Sequence, residues 1–140
     1  MKKILFTLVC FVSLMSLTSC EEEDTRTLAE LQGTWVLLNE DKTPADEKSL
    51  LTLEFIHDYL YVSGASHGQR PFTVTDEWYC YVNGESELVI YYYSYDSDGD
   101  ETRDSYYLDL SFGYDHDELH LTYDPLLGST KHYTFMRRNK

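Results

Sequence analysis

Four carboxylates stand within six residues at Asp96-Ser97-Asp98-Gly99-Asp100-Glu101, and oxygen ligands at alternate positions suit a calcium ion. Asp96, Asp98 and Asp100 are therefore candidate calcium ligands. The spacing departs from the helix–loop–helix calcium loop, because the glycine follows the second aspartate and no glutamate closes the loop at its twelfth position. A solvated hairpin tip fits the run better. The five histidines, His57, His67, His116, His120 and His132, show no zinc-ligand spacing, although His120 and His132 can meet across a hairpin. No nucleophile elbow, phosphate-binding loop or dinucleotide fingerprint occurs, and no pair of acids is set apart for glycoside hydrolysis. Neither a catalytic residue nor a cofactor is assigned. Cys80 has no activating partner in sequence and reads as a quiet buried thiol.

The unusual chemistry is aromatic. Of 13 tyrosines, many crowd into Trp78-Tyr79-Cys80-Tyr81 and Tyr91-Tyr92-Tyr93-Ser94-Tyr95. Side chains alternate along a strand, so Tyr91, Tyr93 and Tyr95 share one face while Tyr92 joins Leu88 and Ile90 on the other. A row facing outward, or lining a pocket, offers flat rings and hydroxyls for stacking on a sugar or meeting a protein. The candidate face comprises Trp78, Tyr79, Tyr81, Tyr91, Tyr93 and Tyr95. The alternative is cross-strand pairing that stabilises a sheet by roughly 0.2 to 1 kcal/mol per pair.

Strands must position these residues. From Leu31 onward apolar residues recur with period two, in short runs separated by turn residues. Eight strands are expected: Gly33 to Asn39, Leu50 to His57, Tyr59 to Ser63, Phe72 to Val82 with a bend near Asp76-Glu77, Glu87 to Tyr95, Ser105 to Phe112, Glu118 to Tyr123, and Thr130 to Arg137. Asn83-Gly84 is a hairpin signal joining the fourth and fifth. Only Thr27 to Leu31 suits a helical turn. Eight sequential strands joined by short turns can close on themselves and abolish their edges. The expected fold is thus all-β, a small eight-stranded antiparallel up-and-down β-barrel. Such a barrel is just wide enough inside for side chains or one small ligand.

The beginning of the chain has a different character. Lys2 and Lys3 precede an apolar run from Ile4 to Leu17, too short for a comfortable membrane span but of the length of a secretory h-region. The run ends in Leu17-Thr18-Ser19-Cys20, which resembles the lipobox of bacterial lipoproteins. That resemblance implies removal of residues 1–19 and lipidation of Cys20, whose acyl chains would anchor the protein to a membrane without spanning it. The following Glu21-Glu22-Glu23-Asp24 resembles the signal that sends Bacteroides-type lipoproteins to the outer face of the outer membrane. Such a run also suits a solvated tether, since like charges repel. The expected organisation is a signal over 1–19, a lipidated acidic tether over 20–30 and one domain over 31–140. Two of the 11 Lys and Arg leave with the signal, so the formal charge moves from −14 to −16. That charge argues against nucleic acid as a partner. With Cys10 removed and Cys20 lipidated, Cys80 stands alone and no intrachain disulfide is expected.

Leu31-Gln32-Gly33-Thr34-Trp35 resembles the G-x-W opening of lipocalins and of the lipocalin-like domains of secreted bacterial lipoproteins. In that family the tryptophan closes one end of the barrel and an arginine from the last strand stacks on its ring. Tyr133-Thr134-Phe135-Met136-Arg137-Arg138 ends the chain where that arginine belongs, and Arg137 shares a face with Tyr133 and Phe135. The resemblance therefore implies a barrel-closing pair, Trp35 and Arg137. No counterpart of the family's T-D-Y motif and no helix after the barrel occur, which argues against a large ligand-holding calyx. The expected role is non-catalytic: binding a small apolar or sugar-like ligand, or a membrane protein partner, from an outer-membrane anchor. An interaction subunit with a side-chain-filled barrel is the second reading, and a hydrolase the third.

Overall fold

A computed structural model describes residues 25–39, 43, 51–64 and 70–138. The signal segment, Cys20, the run Glu21 to Asp24 and His67 lie outside the described residues. Eight strands follow in chain order: β1 (Gly33–Leu37), β2 (Thr52–Ile56), β3 (Tyr59–Ser63), β4 (Glu77–Asn83), β5 (Glu87–Tyr95), β6 (Glu101–Phe112), β7 (Glu118–Tyr123) and β8 (Lys131–Arg137). Each pairs antiparallel with the next, and β1 pairs with β8, so the sheet is one closed up-and-down barrel.

Alternation decides which residues enter the interior. Leu53 and Phe55 of β2, Leu60 and Val62 of β3, Leu88 and Ile90 of β5, Leu108 and Leu110 of β6, Leu119 and Leu121 of β7, and Tyr133 and Phe135 of β8 all join one buried cluster. Each fully buried side chain of this size contributes roughly 1.5 to 3 kcal/mol relative to leaving it in water. Trp35, Phe55 and Phe135 are at most 1% exposed. The barrel axis is occupied by side chains.

The two ends are stoppered differently. At one, a helix over residues 25–31 (α1) lies ahead of β1, with Leu31 fully buried and Leu28 against the core. Gln32 fastens this helix to the β2–β3 turn: its Oε1 accepts the His57 backbone N–H at 2.6 Å, and its Nε2 donates to the Leu28 and His57 carbonyls. Residues 25–30, expected in the tether, thus fold onto the barrel, because Leu28 and Leu31 lie three apart on one helical face. At the other end Phe72 enters the core, its ring edge-on to Tyr133 and Phe135 at 5.3 and 6.3 Å.

Two strand boundaries also differ from expectation by more than two residues. Phe72 to Asp76 do not extend β4; they form a turn in which the Val74 N–H reaches the Pro71 carbonyl and Thr75 Oγ1 meets the Glu77 backbone. Conversely, β6 begins at Glu101, four residues early, because the β5–β6 hairpin continues to the pairs Ser94↔Thr102 and Tyr95↔Glu101. Glu101-Thr102-Arg103-Asp104 is exposed on both sides there. It therefore lacks the apolar alternation that marks a half-buried strand.

Candidate functional site

Trp35 and Arg137 sit opposite each other where β1 meets β8. The Arg137 guanidinium carbon lies 4.2 Å from the Trp35 ring centroid. Its Nη1 donates to the Gln32 carbonyl at 2.9 Å and its Nη2 to the Glu30 carbonyl at 2.7 Å, while Nε stands 3.6 Å from Asp117 Oδ1. The indole N–H of Trp35 donates to the Leu31 carbonyl at 2.7 Å. One arginine and one tryptophan thus satisfy carbonyls at and after the end of α1, which a helix leaves without intrahelical donors. Gly33, at φ +110°, makes the turn from helix into strand, a conformation that side chains resist. This end is a closure of the barrel, held by stacking that contributes roughly 0.5 to 2 kcal/mol and by these hydrogen bonds.

The aromatic residues divide between the two faces. Trp78 is fully buried, its ring edge-on to Tyr92 and Tyr106 at 5.3 and 5.5 Å and its indole N–H donating to the Thr75 carbonyl. Its place in the outward face is therefore corrected. Trp78, Cys80 and Val82 share the parity that enters the core, and Tyr79 and Tyr81 take the other.

The outward rings form a continuous layer over β3, β4 and β5. Tyr79 lies 5.1 Å from Tyr59, is stacked on Tyr91 at 5.4 Å, and meets Tyr93 edge-on at 5.7 Å. Tyr81 and Tyr93 each contact Tyr91 as well. The layer is thick enough that Val89, on the same outward side of β5, is 0% exposed. Tyr61, Tyr81, Tyr93, Tyr95 and Tyr107 remain exposed. Their sequence neighbours gave no hint that Tyr59 and Tyr61 belong here; the pairings Tyr59↔Tyr79 and Tyr61↔Glu77 bring them in. Arg103 belongs here too, its guanidinium carbon 3.9 Å from the Tyr91 centroid.

Three of these hydroxyls are held in their neutral form. Burial, then Tyr93, pushes Tyr91 up; the neighbouring Tyr79 pushes Tyr59 up; and Tyr95 is raised by its 3.0 Å hydrogen bond to Glu101. Tyr59, Tyr91 and Tyr95 consequently present uncharged rings.

At the hairpin tip the Asp96 carboxylate caps the turn's own backbone. Asp96 Oδ1 accepts the N–H groups of both Asp98 and Asp100 at 2.9 Å, and no three metal-ligating side chains converge among the described residues. The calcium candidates Asp96, Asp98 and Asp100 therefore form a self-capped turn. His120 and His132 each face a threonine across β7–β8, Thr134 and Thr122 respectively.

Cys80 is a buried free thiol, pushed up from its ordinary 9.0 to about 12 by burial and then by Asp58. Burial and then Tyr123 likewise raise Tyr133 from 10.0 to about 12. Both groups are held protonated by the fold, so their contribution to stability is fully present below pH 9 and is lost as pH rises from 9 through 12. The expected result is a melting temperature that loses this contribution, and so falls, as pH rises above about 9. Alkylation of Cys80 by iodoacetamide at pH 7 should require unfolding, since the thiolate is the reactive form. Rapid labelling of the folded protein would overturn this account.

A cleft of about 820 Å³ opens at the end opposite α1, between the β7–β8 loop and β6, with Arg70, Tyr106, Tyr123, Leu126 and Lys131 in its walls. The interior residues Leu53, Phe55, Trp78, Leu119 and Phe135 line neither this cleft nor two smaller ones, one beside Val62 and Phe72 and one beside Thr27 and Phe112. Comparison with known protein families, curated proteins and solved structures returns no match to this chain.

Proposed function

We propose that the chain is a lipoprotein held on the outer membrane, at the cell surface, through Cys20. Its lipocalin-like barrel serves as a non-catalytic interaction module rather than as a ligand chamber. The observation that carries the interaction role is the outward layer of stacked tyrosines on a barrel whose interior is already filled. Rings committed to the core would stabilise the fold; rings left open to water on one continuous face suit a partner, since exposed aromatic clusters mark interfaces.

The test separates recognition from stability. Tyr81 and Tyr93 are 40% and 43% exposed, so Tyr81→Ala with Tyr93→Ala should cost no more than about 2 kcal/mol, two cross-strand pairs' worth. Affinity capture from the cell's own membranes should recover a bound species with the wild type and lose it with the double variant. Equal recovery by both forms would overturn the assignment.

A small apolar or sugar-like ligand is the second reading, favoured by the cleft at the barrel end. Its volume lies within the ~300 to 1,000 Å³ of small-molecule sites, and Leu126 and Leu127 at its lip are almost completely exposed.

A further inference from the structure

The tyrosine layer is chemically one-sided. Glu54 lies opposite Tyr61, which in turn lies opposite Glu77, and the Tyr95 hydroxyl donates to the Glu101 carboxylate. Both glutamates that flank Tyr61 point outward on their strands and are exposed. Among the described residues, the cation that lies over these rings is Arg103, 3.9 Å from the Tyr91 centroid and 5.8 Å from that of Tyr81. The fold itself thus places a guanidinium over this layer.

Resting on the reading of this face as the recognition surface, we propose that it takes an arginine-rich segment of a polypeptide partner. Guanidinium groups stack on the exposed rings as Arg103 does on Tyr91, and pair with the flanking carboxylates. The face of a tyrosine ring carries the negative part of its quadrupole and attracts a cation. A guanidinium is planar, weakly hydrated and able to stack while its edge donates to a carboxylate, which an ammonium does less well. The formal charge of −14 adds long-range attraction that speeds the encounter of a basic partner. A neutral glycan can stack on the same rings but gains nothing from that charge.

Three probes distinguish the possibilities with the full-length protein in detergent: an eight-residue arginine peptide, a lysine peptide of equal length, and a neutral oligosaccharide. At about 0.15 M salt the arginine peptide should bind at least tenfold more tightly than the lysine peptide. Glu77→Gln and Tyr93→Ala should each weaken it severalfold. Asp115→Asn removes the same charge at the α1 end, where its side chain caps the Asp117 N–H, and should change the affinity little. Equal binding of the two peptides overturns the proposal, as does an Asp115→Asn effect as large as that of Glu77→Gln. Oligosaccharide binding that is lost in Tyr93→Ala would keep the face as a recognition surface while overturning its cationic partner. If Tyr93→Ala alters binding of no probe and capture from membranes is unchanged as well, both readings fall.

Discussion

Trp35→Ala should lower the melting temperature by about 15 to 30 °C, or leave the domain unfolded at 37 °C. Truncating a buried tryptophan to alanine costs roughly 3 to 5 kcal/mol through lost transfer energy and the cavity left behind, and a domain of this size has only about 5 to 15 kcal/mol in hand. Each 1 kcal/mol corresponds to roughly 4 to 8 °C for small domains. The site gives little room for collapse, because the same indole donates to the Leu31 carbonyl and supports the Arg137 guanidinium. Arg137→Lys should cost less, about 1 to 3 kcal/mol, since an ammonium cannot stack on Trp35 while also reaching the carbonyls of Gln32 and Glu30 in a fixed fork. Thermal melts followed by tryptophan fluorescence and circular dichroism check both. A loss below about 1 kcal/mol in Trp35→Ala would mean that this end of the barrel is not what holds α1 and β1 together.

Cys20→Ala should move the protein from almost wholly membrane-bound to almost wholly soluble. Each buried methylene of a lipid anchor contributes roughly 0.8 kcal/mol, so a single acyl chain holds a protein only reversibly while two or more hold it stably. The described fold offers no other means of insertion by a helix, as no helix among the described residues is long and apolar enough to cross a membrane. Because Cys20 precedes α1, the variant should keep the wild-type melting temperature. Fractionation of membranes, with partition into detergent, reads the outcome directly. A Cys20→Ala protein that still partitions as a lipidated species would defeat the lipoprotein assignment.

Much of the fold was legible because period two survives wherever one face is buried. In β6, Tyr106, Leu108, Leu110 and Phe112 against Tyr107, Asp109 and Ser111 state the strand and its orientation together. The signal fails where that asymmetry fails. Glu101 to Asp104 meet water on both faces, so nothing in their pattern marks them as strand, and Phe72 looks like a strand residue because it is buried, although it is buried from a turn. Trp78 adjoins Tyr79 in sequence, yet alternation sends neighbours to opposite faces and puts its ring in the core. Arg103, Tyr59 and Tyr61 join the tyrosine layer only through pairing between strands, a relation fixed by register and invisible in local composition. Thr27 to Leu31 suits a helical turn in sequence, and the burial of Leu28 and Leu31 against the barrel extends it to a helix over residues 25–31.

The fastening of α1 to one end of the barrel would also set how a lipid-anchored molecule stands. Arg137 and Gln32 tie the start of the folded domain to the end where Trp35 lies, and the five peptide units from Cys20 to Thr25 can stretch no farther than about 18 Å. For a lipidated chain the barrel therefore stands with α1 nearest the lipid and the Leu126-Leu127 loop at its summit. In that arrangement the tyrosine flank would run up the side, open to a neighbour anchored in the same membrane.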